Sequence, residues 1–412
     1  MVPHIGGILF DAFDWRRRMI ISKPSVLVTA SLLFCASSFV TPSHVQAKDT
    51  VKLAFIANLS GGAASIGLGG RNSADLAVRQ RNADPNAKYH YELNSYDDEC
   101  KPNVGVQVAT RVASDNSVSA SIAHYCSAVA MATVGVFHRF QMPMLVYTAV
   151  APEITDAQKF PEINRVGPSA LDQNRIGPDF MKKLGYKTWA IIYDTTAYGT
   201  SNDKYFTKFL DEAGGRTLAK FGVSPDQQDF TAELTKIAEL KPQVVYVETL
   251  APVGARVLLQ MDKLGINAQF DSVSGIFSDE FIKTAGPLAE GALSRRNGEP
   301  ITEIPGGKDF LAQYAAAKYD QSPDVWGHYA YAEMTLLLDV IEKVGPKREA
   351  ITAGLHDLKA HPTLLGPVTF NENGQNVSGV MAGIVVVQDG KWIDWEKSEY
   401  ATGKRHLKRL GE

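Results

Sequence analysis

Short apolar runs alternate with helical segments along most of the chain, and this alternation limits the possible folds more than any other feature. Residues 51–56 form a β-type run, a glycine-rich stretch at 60–70 is expected to be a loop, and a helical segment lies near 73–81. The same order returns at 118–123, where a strand-like run precedes apolar residues at helical spacing. Strands that alternate with helices predict parallel sheets whose two faces are covered by helices.

The length of the chain predicts more than one lobe. With 412 residues, the chain exceeds the about 250–300 residues over which a single hydrophobic core grows. A second series of strands and helices begins after Arg165, so we expect two doubly wound α/β lobes. Ligands of such sheets bind beyond the carboxyl ends of the strands. The loops expected at those ends are 60–67, 125–127, 147–150, 194–199, 248–250 and 272–277.

The first 47 residues have the pattern of a cleavable signal peptide. Arginines at 16–18 precede a mostly apolar run at 26–40, and a small residue, Ala47, completes a site that suits signal peptidase. We therefore expect cleavage after Ala47 and export to the periplasm, with Met19 as an alternative start. An N-terminal membrane anchor is the other interpretation, although the apolar run is short for a bilayer span.

Two cysteines remain once the signal peptide, which contains Cys35, is removed. Cys100 and Cys126 would then be in an oxidising compartment, where an even pair most simply forms a disulfide. In a loop-entropy description that closure would contribute about 3–4 kcal/mol. Two independent buried thiols are the alternative interpretation.

Composition and motifs argue against several kinds of chemistry. The formal net charge is −3, which provides no broad basic surface for nucleic acid. The histidines lack metal-ligand spacing, and neither a phosphate-binding loop nor a nucleophile elbow is present. We therefore expect no metal, no cofactor and no enzymatic activity. An acid–base pair of His124 with Asp97 or Asp98 is conceivable, but a structural hydrogen bond is the favoured interpretation.

The stretch from His124 to Ala130 places a cysteine and a serine where a strand gives way to a helix. The unpaired N–H groups of a first helical turn, together with the positive end of the helix dipole, favour a carboxylate there. Ser127 would add its hydroxyl, and the small residues after it would let a ligand approach. The alternative is that Ser127 is a plain helix N-cap.

Six short motifs resemble the Leu/Ile/Val-binding family of periplasmic solute-binding proteins. They follow one another in the family's order across nearly the whole mature chain. The motifs are Y-D-D-E-C-K-P at 96–102, H-Y-C-S at 124–127, P-E-I-T at 152–155, D-T-T-A-Y-G-T at 194–200, A-E-G at 289–291 and L-G-P-V-T-F-N-E-N-G at 365–374. Each motif is weak alone, and their shared order and spacing carry the resemblance.

This resemblance implies two α/β lobes joined by three crossings, with a ligand cleft between them, as in type I periplasmic binding proteins. Residues 48–170 with 297–383 would form one lobe, and residues 171–296 with 384–412 would form the other. We expect a monomer that captures a small carboxylate and delivers it to the permease subunits of an ABC transporter. A ligand sensor, as among the related amide and urea binders, is the alternative role.

Carried over by position, the resemblance assigns Ser127 to the carboxylate of the ligand. Thr148 and Ala149 match a loop that presents its backbone beside that carboxylate. Tyr198 matches a tyrosine that reaches the ligand from the opposite lobe. These four residues make up the half of the family site that holds an acid group.

The half of the site that would hold an α-ammonium departs from the family. Val150 stands in place of a threonine, Ser274 in place of an acidic residue, and Ile66 and Leu250 in place of aromatic residues. Because an ammonium buried without its carboxylate costs several kcal/mol, we expect a hydrophobic or aromatic organic acid. A branched-chain amino acid is the alternative ligand if one of three acidic residues reaches its ammonium. Those residues are Asp194, Glu248 and Asp271.

Overall fold

The structure, a computed structural model, describes residues 48–378 and 382–408. The expected signal peptide and its cleavage point lie outside these residues. The predicted α/β architecture is confirmed, since the chain forms two main sheets and each is packed between helices. Within the described ranges, each helix is too short or too polar to traverse a bilayer.

The first sheet is entirely parallel. Its strands are β1 (Thr50–Ala57), β2 (His90–Asp97), β3 (Val118–Ala123), β4 (Met144–Leu145) and β5 (Ile163–Asn164), in the spatial order β2-β1-β3-β4-β5. The helices of this part are α1 (Ala64–Ala83), α2 (Pro102–Ser114), α3 (Ser127–Arg139) and α4 (Glu153–Asp156). Strand β3 is buried at every residue, as expected for a central parallel strand with helices on both faces.

The glycine-rich stretch at 60–70 is not the predicted loop, because α1 already begins at Ala64. Its glycines serve close packing instead. A Cβ on Gly67 would lie 2.1 Å from the carbonyl oxygen of Asn58. The absence of a side chain therefore lets the start of α1 press against the end of β1, at the edge where a ligand is expected.

The second sheet begins with five parallel strands. They are β6 (Thr188–Asp194), β7 (Arg216–Val223), β8 (Val244–Glu248), β9 (Gln269–Ser272) and β10 (Leu293–Asn297). The helices between them are α5 (Ala170–Lys183), α6 (Ala197–Glu212), α7 (Thr231–Leu240), α8 (Ala251–Lys263) and α9 (Asp279–Ala285). Two apolar clusters cover the two faces, one beneath α5 and α6 and the other beneath α7 and α8.

After β10 the chain returns to the first sheet. The helices there are α10 (Gly307–Ala316), α11 (Gly327–Val344) and α12 (Arg348–His356). Helix α11 packs against α1 and shares an apolar cluster with β1 and β3. A small hairpin of β11 (His361–Thr363) and β12 (Gly366–Val368) follows. Among the described strands, β12 pairs only with β11 and is not part of a main sheet.

The last two strands complete the second sheet in antiparallel orientation. Strand β13 (Ala382–Gln388) pairs with β10, and β14 (Lys391–Asp394) pairs with β13. The spatial order is β14-β13-β10-β9-β8-β6-β7, so the expectation of a purely parallel sheet needs correction at this edge. We call the five-stranded sheet with its helices the first lobe and the seven-stranded sheet with its helices the second lobe.

Candidate ligand-binding cleft

Loops at the carboxyl ends of the two sheets meet, and their side chains touch across a cleft. Leu250, at the start of α8, packs against the apolar clusters of both lobes. Val150 follows β4 of the first lobe but packs in a cluster of the second, whereas Phe277 of the second lobe packs against the first. The lobes are therefore closed on each other in this structure.

Ser127 lies in the first turn of α3 and ties this helix to the neighbouring loop. Its buried Oγ accepts hydrogen bonds from the backbone N–H groups of Val150 and Ala151, each at 3.2 Å. The N-cap position belongs to Cys126, so the alternative of a plain N-cap does not describe Ser127. Because Oγ already accepts two bonds, its own proton is available for a ligand oxygen.

Thr148 adds a second hydroxyl on the same loop. Its backbone is left-handed, with φ at 56°, and its buried Oγ1 has no hydrogen-bond partner among the described residues. The expected free backbone N–H groups are absent here, since those of Thr148 and Ala149 donate to the carbonyl oxygens of Val146 and Tyr147 at 3.1 and 2.8 Å. Hydroxyls are thus the donors that this loop offers to an anion.

A buried cation lies directly beneath the same loop. Arg165 donates through Nη1 to the carbonyl oxygens of Ala149 and Ala151, at 3.3 and 2.7 Å. Its remaining bonds go to the neutral side chains of Gln375 and Thr155. Burial lowers the pKa of this guanidinium to about 10, so it is charged at neutral pH. Three nearby carboxylates act on this pKa in the opposite direction, so they balance part of the positive charge, and the remainder favours an anion at this end of the cleft.

Tyr198 reaches the cleft from the first turn of α6. Its hydroxyl is buried beside the Gly275 backbone, where an added Cβ would lie 2.2 Å from it. It makes no hydrogen bond of normal geometry with a described residue. Burial, and then the nearby Tyr125 of the first lobe, raise the pKa of Tyr198 well above its usual value. The phenol therefore keeps its proton and can donate it to an acid group.

The positions expected to face an α-ammonium are neutral. The Ser274 hydroxyl donates to Oε1 of Gln173 at 2.7 Å, and Ile66 is part of the apolar cluster of the first lobe. Leu250 and Val150 add apolar surface between the lobes. The structure thus places all eight predicted cleft residues at strand ends or in the loops and helix starts that follow them.

Three carboxyl groups were expected as possible partners for the ammonium of an amino-acid ligand. Two of them are engaged elsewhere. Asp194 accepts the N–H of Thr196 at 2.9 Å at the start of α6, and Asp271 forms a buried bidentate ion pair with Arg295. Glu248 is fully buried, and neither of its oxygens has a partner among the described residues. Burial raises the pKa of Glu248 well above its usual value, which favours the neutral form of this carboxyl, whereas a nearby cation would favour the ionised form.

Sequence reasoning missed several residues that build the cleft. Phe277 and Trp326 meet edge to face across the lobes, with ring centres 6.4 Å apart. Arg165 follows a strand of two residues, which has no recognisable periodicity. Tyr125 was inside the H-Y-C-S motif, and its aromatic ring at a strand end was a usable signal.

In the part of the chain that the structure describes, no three metal-ligating side chains gather.

The expected disulfide is confirmed, with a bond between Cys100 and Cys126 and a Cα–Cα distance of 5.5 Å. It joins the loops that follow β2 and β3, directly before Ser127. Close by, Nδ1 of His124 lies 2.7 Å from the Asp98 carboxylate, and both side chains are fully buried. This contact links the ends of β2 and β3, and with the disulfide it holds the start of α3 in place; the structural role of His124 stays a prediction.

The structure defines a protein of two α/β lobes with a cleft between them. A profile described as periplasmic binding protein matches residues 50–391. The chain belongs to this family, which comprises the type I solute-binding proteins of ABC transporters and includes the Leu/Ile/Val-binding proteins.

Individual relatives agree with this assignment. A leucine-, isoleucine-, valine-, threonine- and alanine-binding protein from Pseudomonas aeruginosa is 26% identical over 333 residues, or 81% of this chain and 88% of that protein. A leucine-binding protein from Thermotoga maritima has a TM-score of 0.77 at 22% identity and covers 87% of this chain and 99% of its own. An ABC transporter solute-binding protein from R. palustris, in complex with benzoate, has a TM-score of 0.74 at 20% identity, with coverages of 84% and 95%. At these identities the solved structures support the fold alone.

Proposed function

We propose that this protein captures a hydrophobic or aromatic organic acid in the periplasm and delivers it to the permease subunits of an ABC transporter. The lobes with the bounds 48–170 plus 297–383 and 171–296 plus 384–412 would close over the acid. The same fold holds leucine-binding and benzoate-bound neighbours. The ligand class therefore has to be argued from the side chains of the cleft.

The observation that carries the proposal is the pairing of hydroxyl donors with a buried cation at one end of the cleft. Ser127 and Thr148 have hydroxyl protons to donate there, and we expect Tyr198 to face them from the second lobe. Arg165 lies beneath without an ion-pair partner among its hydrogen bonds. Donors and positive charge at one point, excluded from water, favour a carboxylate.

The rest of the cleft supports an acid that lacks an α-amine. An ammonium next to the carboxylate would meet Val150, Leu250 and the Ser274 hydroxyl, which already donates to Gln173. Its desolvation would go uncompensated, at a cost of several kcal/mol. A branched-chain amino acid remains the second candidate, because both oxygens of Glu248 are unpaired in the described structure. The ammonium of such a ligand would stabilise the ionised form of this carboxyl.

Calorimetric titration of the mature protein, stripped of bound ligand by unfolding and refolding, tests the proposal. We expect heat of binding with benzoate and little or none with leucine. Tight binding of leucine, with no response to benzoate, would overturn the proposed ligand class.

A serine substitution tests the assignment of the acid end. Ser127→Ala should weaken acid binding by roughly 1–3 kcal/mol if the hydroxyl meets a buried carboxylate. Ser114→Ala, an exposed serine at the end of α2, is the matched control and should bind normally. If Ser127→Ala weakened binding by only about 0.3 kcal/mol, far less than a buried hydrogen bond contributes, Ser127 would be limited to a structural role.

A further inference from the structure

Gln173 is a buried amide of the second lobe to which no role of its own has been given so far. It lies in the first turn of α5 and is fully buried. Its Oε1 accepts the hydrogen bond from Ser274 Oγ at 2.7 Å, whereas Nε2 is buried without a partner among the described residues. An amide nitrogen carries two protons, and leaving them unpaired away from water costs free energy. The side chain therefore has donors for which the described protein supplies no acceptor.

Contacts at the start of α5 place this amide beside the acid end of the cleft. The Ala170 N–H donates to the carbonyl oxygen of Val150 at 2.7 Å, and the Val150 N–H donates to Ser127 Oγ. Gln173 follows one turn later on the same buried face of α5 as Ala170. Because helical side chains lean toward the N-terminus of their helix, the Gln173 side chain extends toward the turn that touches Val150.

Neighbouring acceptors do not pair with this amide. In the loop after β9, the Ser274 carbonyl oxygen accepts the Phe277 N–H at 3.0 Å. The carboxyl oxygens of Glu248 make no hydrogen bond with a described residue, and so none with the amide. An α-ammonium is itself a donor and would meet the two amide protons, whereas an acceptor at the same position of the ligand would satisfy them. The amide therefore favours a ligand with an acceptor atom close to its carboxylate.

We propose that Gln173 is a specificity-determining residue that donates a hydrogen bond to the keto oxygen of a hydrophobic 2-oxo acid. The inference rests on the proposed function and names its ligand class more closely. A keto oxygen at C2 is an acceptor only, and it stands one carbon from the carboxylate, where an amino acid carries its ammonium. A 2-hydroxy acid would add a proton that the apolar side chains of Val150 and Leu250 do not accept. A site with a buried donor discriminates against the analogue that lacks the acceptor.

Titration of the wild-type mature protein with three ligands of one carbon skeleton tests the inference first. The ligands are 4-methyl-2-oxopentanoate, 4-methylpentanoate and leucine, which carry a keto oxygen, two hydrogens and an ammonium at C2. The oxo acid should bind about tenfold more tightly than 4-methylpentanoate, the factor that one buried hydrogen bond supplies, and leucine should bind most weakly. Equal affinity of the two acids, or tighter binding of leucine, would overturn the inference.

A second pair of acids covers a cleft that is shaped for an aromatic ring. Phenylpyruvate should likewise bind about tenfold more tightly than 3-phenylpropanoate, because the two differ only in the keto oxygen at C2. If benzoate binds while both oxo acids fail to bind, or if neither pair shows the preference, the inference is refuted.

Variants test the residue itself. Gln173→Leu removes the amide at similar size and should abolish the preference for the oxo acid, while the analogue without the keto group still binds. Gln173→Glu replaces the donor by an acceptor and should lower the affinity for the oxo acid and raise that for leucine, which a merely structural role would not do. Gln107→Leu, at an exposed glutamine on α2, is the control and should behave as wild type. A preference that survives in Gln173→Leu would refute the assignment.

The bond from Ser274 to the amide gives an independent variant. Ser274→Ala removes the hydroxyl that holds Oε1, so the amide can turn and present either of its ends to the ligand. The preference for the oxo acid over its analogue should therefore shrink but not vanish. An unchanged preference in Ser274→Ala would contradict the proposed orientation of the amide.

The outcomes also separate this inference from the proposed function. If each oxo acid and its analogue bind equally and Ser127→Ala weakens both, the proposed function stands and the role of Gln173 is refuted. If none of the four acids binds and benzoate does not bind either, the proposed function fails, and the inference about Gln173 fails with it.

Discussion

Glu153 should hold the two lobes closed, and its removal should weaken ligand binding without touching the ligand. Glu153 begins α4 of the first lobe, and its carboxylate accepts hydrogen bonds from Ser201 Oγ at 2.9 Å and Lys204 Nζ at 3.1 Å. Both donors lie on α6 of the second lobe. These bonds join the lobes only in the closed arrangement, so they stabilise that arrangement selectively.

The expected magnitude follows from exposure. The Lys204 side chain is 62% exposed and that of Glu153 is 31% exposed, so their ion pair contributes at most about 1 kcal/mol. Ser201 is buried, and its bond to a charged but partly exposed acceptor contributes about 1 kcal/mol. Glu153→Ala should therefore destabilise the closed form by about 1–2 kcal/mol, which raises the Kd about 5- to 30-fold.

Calorimetry with whichever of leucine, benzoate and 4-methyl-2-oxopentanoate the wild type binds most tightly measures the change in Kd. Small-angle X-ray scattering of the ligand-free proteins should show a larger radius of gyration for Glu153→Ala. Glu372→Ala is the matched control, because its ion pair with Lys159 at 3.5 Å stays within the first lobe. A change in Kd below twofold, or an equal loss of affinity in the control, would refute the role of Glu153 in holding the lobes closed.

Three further predictions concern stability and the shape of the cleft. Replacing Cys100 and Cys126 by alanine opens a loop of 26 residues and should lower the free energy of unfolding in urea by about 3.5 kcal/mol; a loss under about 1 kcal/mol would contradict the loop-entropy estimate. Burial raises the pKa of Glu333 on α11, whose oxygens have no partner among the described residues. The folded form thus binds this proton more tightly, so stability falls as pH rises above 4.5. Urea titrations should show Glu333→Gln equal to wild type near pH 4 but more stable near pH 8, and a difference that does not grow with pH would be contrary evidence. Gly275→Ala puts a Cβ 2.2 Å from the Tyr198 hydroxyl and should weaken acid binding at least tenfold in calorimetry, whereas unchanged affinity would remove Tyr198 from the site.

Much of the fold was predictable because its signals are local. The central strand β3 of the first sheet is short and buried on both faces, and the helix that follows it, α3, keeps its apolar periodicity. The disulfide followed from cysteine count and export alone. The position of Ser127 at the start of α3 was predictable for the same reason, because a strand-like run precedes it and apolar residues at helical spacing follow it. Its contact with a ligand stays a prediction.

The errors arose where long-range packing decides the structure. Glycines at 67–70 suggested a loop, but contacts with distant backbone, such as Gly67 against Asn58, allow a helix there. Nothing in the local pattern of β13 indicates that it pairs antiparallel with β10. Arg165 acts through carbonyl oxygens that only the folded loop brings to it. Such features depend on tertiary contacts that a single sequence does not display.

The central claim is that this cleft holds a carboxylate without an α-ammonium. A crystal structure of the mature protein, stripped of other ligands and grown with benzoate, tests it most directly. We predict the benzoate carboxylate within hydrogen-bond distance of the Ser127 and Thr148 hydroxyls, with its ring against Ile66 and Leu250. Benzoate bound outside the cleft, or a retained amino acid whose ammonium contacts Glu248, would contradict the claim.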